Sequence, residues 1–202
     1  MSSLVLACGA LAQELRVVLG SQLSEGDVEI DFLPANLHNR PDQIVPTLRP
    51  RLEAARHEDR QVFVAYADCG TGGLLDALLD EFGGVHRLPG AHCYEFFTGS
   101  ARFAELHDEA PGTFYLTDFL AKHFDALVWT SLGLDRHPQL RDMYFGNYTR
   151  LVLLSQRPSL IVVEAARSAA ARLGLAFEHH ETGLEPFEAS LGVPVSVGRK
   201  AA

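Results

Sequence analysis

Nothing in the chain is long and apolar enough to cross a bilayer, since no apolar run approaches the roughly 18 residues that a spanning helix needs. Positive charge is also scarce. Lys and Arg together number 17 against 26 Asp and Glu, a formal charge of −9. That balance argues against nucleic-acid binding, which relies on Lys and Arg to displace counterions. It equally disfavours an anionic membrane surface. Cysteine is nearly absent, with 3 in 202 residues, too few for a disulfide framework in a chain this long. Each is therefore a core residue, a nucleophile or a metal ligand. No C-x-x-C pair occurs, no Gly-Lys-Ser/Thr phosphate loop, and no G-x-G-x-x-G fingerprint, because Gly70-Thr71-Gly72-Gly73 has other spacing. The start, "MSSLVLAC", lacks a positive n-region, and its apolar stretch before Cys8 is 4 residues, against roughly 7–15 for a secretory h-region. It is expected to be a buried strand in a cytoplasmic protein.

What remains is an ordinary globular composition, 47% hydrophobic and 21% charged, arranged as alternating strand-like and helix-like segments. "SLVLAC" (3–8), "DVEIDFL" (27–33), "QVFVAYA" (61–67), "VHRL" (85–88), "TRLVLLSQ" (149–156) and "LAFEHHE" (175–181) read as strands, while "GTFYLT" and "DFLAKHFDALVW" lead into an acidic-aromatic helical segment. Helical patterns fall between them. One closes at Gly20, one runs from about Pro41 to Arg56 with Pro46 and Pro50 expected to kink or shorten it, and one is interrupted at Gly99. This alternation predicts an α/β fold, an open, mostly parallel Rossmann-like sheet with helices on both faces. No low-complexity linker divides residues 1–202, so one domain is expected, with a frayed tail "SVGRKAA".

In such sheets ligands bind beyond the carboxyl ends of the strands. Cys8 ends the first strand, Cys69 follows the third in "ADCGTGG", Cys93 follows the fourth in "PGAHCYEFF", and His38 follows the second in "NLHNRP". Three thiols and an imidazole from four loops match a tetrahedral zinc site, or an iron–sulfur cluster held by three protein thiolates. His92 competes with His38 as the nitrogen donor. Against this stands the tendency of cysteine to be a small buried hydrophobe. The Gly70, Thr71, Gly72 and Gly73 backbone is suited to cradle an anionic group at a helix start. Asp68 either orients that site or caps the helix. A thiolate nucleophile at Cys69 is a further reading, although Leu75 stands where a phosphatase-like loop carries Arg. The aromatic group Tyr94, Phe96 and Phe97 reads as core. The segment from Asp135 to Tyr148, rich in Arg and Tyr, suits either a lid or a solvated helix.

"LACGAL", "LHNRP", "ADCGTGG", "PGAHCYEFF" and "FYLTDFL" together resemble a prokaryotic family of unknown function, over roughly residues 3 to 180. Members of that family are often encoded beside corrinoid-dependent methyltransferases and corrinoid proteins. The resemblance implies a role in one-carbon methyl metabolism, with a small-molecule ligand and corrinoid methyltransferase components as partners. It carries no catalytic residues. No D-x-H-x-x-G corrinoid signature is present. The expectation is a metal-binding protein, with zinc or an iron–sulfur cluster on Cys8, Cys69, Cys93 and His38. The alternative is a non-catalytic accessory or chaperone-like partner with structural cysteines.

Overall fold

The computed structural model describes residues 3–191; the tail expected to fray lies outside them. Seven strands, every pair of them parallel, alternate with helices in an α/β fold. The strands divide between two sheets, and the chain groups into two compact units, Met1–Phe96 with Phe187–Ala202 and Phe97–Pro186.

In the first unit the strands are β1 (Ser3–Cys8), β2 (Val28–Leu33), β3 (Val62–Ala65) and β4 (His86–Arg87), in the order β2-β1-β3-β4. The central strand is the apolar one. Leu4 to Ala7 of β1 are all buried, whereas edge strand β2 is buried only at its ends, as expected of a strand covered on both faces beside one that is not. Helix α1 (Ala12–Val18) closes at Leu19, just before Gly20, and a second helix, α2 (Gly20–Glu25), starts there and is closed by Gly26 in the left-handed conformation at φ 75°.

Helix α3 (Ile44–His57) buries Ile44, Leu48, Leu52 and Ala55, one face at helical spacing. It is not shortened by its prolines. Pro46 falls in the first turn, where no intrahelical donor is lost, and the helix carries through Pro50. Leu75, Leu78 and Leu79 of α4 (Leu74–Phe82) join that face over Leu4 and Leu6 of β1 and Val64 and Tyr66 at β3. After β4 comes the short α5 (Cys93–Thr98).

The second unit carries β5 (Thr113–Thr117), β6 (Arg150–Ser155) and β7 (Ala176–Glu181) in sequential order, with β6 central and buried from Leu151 to Ser155. Its helices are α6 (Ser100–Glu109), α7 (Asp118–Lys122), α8 (Leu140–Phe145) and α9 (Leu160–Leu173), the last capped by the Ser159 hydroxyl.

Only the first sheet reverses its winding. From β1 the chain moves to β2 on one side, then crosses to β3 on the other, which opens a switch point between the carboxyl ends of β1 and β3. Crevices of this kind are where open parallel sheets bind ligands.

Candidate functional site: a three-thiol rim

Cys8 is the last residue of β1, at that switch point. Glycine follows because the loops are pressed together: a Cβ on Gly9 would stand 2.8 Å from the Leu33 carbonyl oxygen and 3.2 Å from the Ala35 nitrogen. The turn after β1 thus touches the loop after β2. Gly70, after β3, faces Pro41 in the same loop at contact distance.

The turn after β3 is bound in turn to the loop after β4. The Asp68 amide donates to the Gly90 carbonyl at 3.1 Å, and the Cys69 amide to the Ala91 carbonyl at 2.9 Å. Arg87 secures that second loop. It forms a paired contact with the Asp76 carboxylate and donates to the carbonyls of Leu88 and Gly90.

These bonds set Cys69 and Cys93 on one rim with Cys8. All three thiols are free and partly buried. Burial raises the pKa of each. It pushes Cys69 up to about 12, with the Cys8 charge adding to it. It raises Cys93 well above the ordinary thiol range, aided by Cys69 and Cys8 and opposed by the amides of Cys93 and Tyr94. Cys8 is raised by burial too, against the Ala10 amide and the Tyr66 hydroxyl. The three sulfurs therefore share one electrostatic environment that holds them as thiols.

His38 lies in a 3-10 segment, Ala35–Asn39, and is exposed. Desolvation by the protein around it lowers its pKa, and proximity to His92 adds to this. The two histidines, alternatives as nitrogen donors, are thus neighbours. Among the described residues, no three side chains of His, Cys, Asp or Glu are grouped so as to hold a metal ion.

The glycine turn is filled from within. The Asp68 carboxylate accepts from the Thr71 hydroxyl at 2.7 Å and from the amides of Gly73 and Gly72 at 2.9 and 3.1 Å. Burial opposes ionisation of Asp68, but these bonds and nearby Arg87 outweigh it and bring the carboxyl below its usual value. Asp68 is thus the cap of the turn, and an external anion there would compete with it for two amides. Cys69 adopts φ 51°, a left-handed conformation unusual outside glycine. Holding it there costs about 1–2 kcal/mol.

Sequence reasoning passed over two residues. Arg87 sat in a short strand with no motif around it. Tyr66 closed an apolar run and read as core. Its ring is core, at 2% exposure, and its buried hydroxyl acts on the Cys8 thiol. The signal available was position, three residues before Cys69 and at the end of a strand beside β1.

A family model for proteins of unknown function, DUF1638, matches residues 32–191. The chain belongs to DUF1638. The matched stretch takes in Cys69, Cys93, His38 and His92, and begins after β1 and Cys8. No curated protein and no solved structure matches this DUF1638 chain. No helix among the described residues is long and apolar enough to cross a membrane.

Proposed function

We propose that this DUF1638 protein binds a soft metal centre on Cys8, Cys69 and Cys93 and acts on a small molecule in one-carbon or methyl metabolism. The observation that carries the reading is that three free thiols, from the end of β1, the turn after β3 and the start of α5, act on one another at the switch-point crevice. In the metal-free protein, burial and mutual repulsion oppose their ionisation. A cation reverses both effects, because its charge stabilises every thiolate it touches. Thiolate donors suit zinc and iron–sulfur centres above oxygen-seeking metals.

Of the two, a cluster is favoured. A lone zinc ion needs its sulfurs about 2.3 Å from a single point, and the described side chains are not so grouped. A cluster spreads its thiolates over different irons, so three separated thiols would leave an iron open to a small-molecule ligand. In a zinc form, His38 or His92 would be the fourth donor. The metabolic assignment rests on the resemblance to a family encoded beside corrinoid-dependent methyltransferases. There, a metal centre that binds a thiol acceptor would activate it for methyl transfer.

The same absence of a grouped donor set favours a second reading, a non-catalytic accessory partner of a corrinoid methyltransferase system with structural cysteines. Elemental analysis and an absorption spectrum of anaerobically purified protein separate these readings. Iron with sulfide and a broad visible absorption is the expected result. Colourless protein with stoichiometric zinc would move the assignment to a Lewis-acid site, and protein free of both metals would leave the accessory role.

A further inference from the structure

Strand β7 (Ala176–Glu181) ends the second sheet on one side and pairs only with β6. The Ala176 amide donates to Thr149, and the amide of Thr182, just past the strand, to Ser155, at 3.1 and 2.8 Å. In a parallel ladder, alternate residues turn their N–H and C=O toward the same neighbour. Phe177, His179 and Glu181 therefore turn theirs away from β6, and no other segment among the described residues bonds to them. The strand carries no Pro, Gly, Lys or bulge to blunt such an edge. The opposite edge, β5, is different: four of its five residues are buried.

The side chains of β7 decide what this edge fits. An antiparallel neighbour must bring its own outward residues opposite the odd-numbered ones. For a second copy of β7, two such registers overlap most fully. One sets Glu178 against Glu178 and is repelled; the other, centred on His179, sets Glu178 against His180 of the second copy. Glu178 is no obstacle there, because Arg150 binds its two oxygens at 3.0 and 2.9 Å. The same register sets Phe177 against Glu181 of the second copy. Arg167 of α9 lies over the Phe177 ring, 4.7 Å from its centre, and is exposed, so Glu181 brings a carboxylate to it. Each contact occurs twice about the two-fold axis. Strand β2, the equally long edge of the first sheet, fails this test. The Ser3 amide bonds to Asp27, so Val28, Ile30 and Phe32 point outward. Its two fullest registers set Glu29 against Asp31, or Asp31 against itself.

We propose that β7 is a self-pairing edge: two copies of the chain join through antiparallel β7 strands centred on His179, merging two three-stranded sheets into one.

Sedimentation equilibrium on the full chain and four variants tests this. His179→Pro removes the outward N–H at the centre and leaves the bonds to β6 intact. Glu181→Lys and Arg167→Glu each set like charges across the joint, and the double variant restores opposite charges with their signs exchanged. Wild type is expected to be a dimer and His179→Pro a monomer. Each single charge variant is expected to dimerise roughly tenfold more weakly, and the double variant to recover most of the loss. The charge variants alter exposed side chains, so they decide the matter alone if His179→Pro does not fold. A monomeric wild type would overturn the proposal. So would a dimer that neither charge variant weakens, or a double variant no tighter than the single ones.

Discussion

The backbone amide of Cys69 donates to the carbonyl of Ala91 at 2.9 Å, so one thiol-bearing turn is fastened to the loop that leads into another thiol. The neighbouring bond from Asp68 ends on Gly90, whose φ is +90°. A side chain at Gly90 would adopt a strained backbone and meet the Glu95 side chain. Gly90→Ala is therefore expected to destabilise the protein by about 1–3 kcal/mol and to lower metal content through Cys93. Denaturant unfolding and elemental analysis check this, and a variant with wild-type values for both would show that the loop bond does not position the thiols.

Cys69 separates function from stability. Cys69→Ser is expected to lose most of the bound metal while retaining the fold. Cys69→Gly places at φ 51° the residue that accepts this conformation freely, so it is expected to unfold no earlier than Cys69→Ser and to be equally poor in metal. Circular dichroism and metal analysis on the two variants decide the point. Full metal retention by either removes Cys69 from the ligand set.

Asp68 acts through the turn. Replacing it by Ala frees the Thr71 hydroxyl and two amides, an expected loss of about 1–2 kcal/mol. Its carboxyl is held below the usual range in the folded protein. The stabilisation it supplies is therefore present above the ordinary carboxylate pKa, near 3.9, and is lost as pH falls through the lower folded value. Asp68→Asn, which cannot ionise, is expected to flatten that part of the acid-stability curve. An unchanged curve would mean that the capping bonds contribute nothing at equilibrium.

The thiols predict an alkaline effect of opposite sign. With Cys69 raised to about 12 in the folded, metal-free protein, against an ordinary value near 8.5, protonated Cys69 stabilises the fold below about pH 8.5, and this contribution disappears as pH rises toward 12. Alkylation at pH 8 is accordingly expected to be slow on native metal-free protein and fast once urea unfolds it. Native labelling at the unfolded rate would contradict the burial of Cys69.

Much of this architecture is legible in the sequence because it is local. The unbroken apolar run of β1 marks a central strand, and the half-buried pattern of β2 marks an edge. Placing Cys8 at the end of β1, and Cys69 and Cys93 beyond the carboxyl ends of β3 and β4, needed only the rule for parallel sheets. The division of seven strands between two sheets was not legible, because every connection is a parallel crossover and periodicity does not record which strands pair. A string of residues does not reveal that the adjacent Asp68 accepts from two amides of the glycine turn. Tyr66 stayed hidden for a related reason: which group a buried hydroxyl meets is a property of the folded interior.

The direction of β1 has a practical consequence for handling the molecule. Ser3 begins the strand and Cys8 ends it, so the two lie roughly 17 Å apart at about 3.3 Å per residue. An affinity tag or resin linker joined ahead of Ser3 would leave from the amino-terminal edge of the sheet. Immobilised in that way, the protein would turn its sulfur-bearing edge toward the solution, free to meet reagents and partner proteins flowing past.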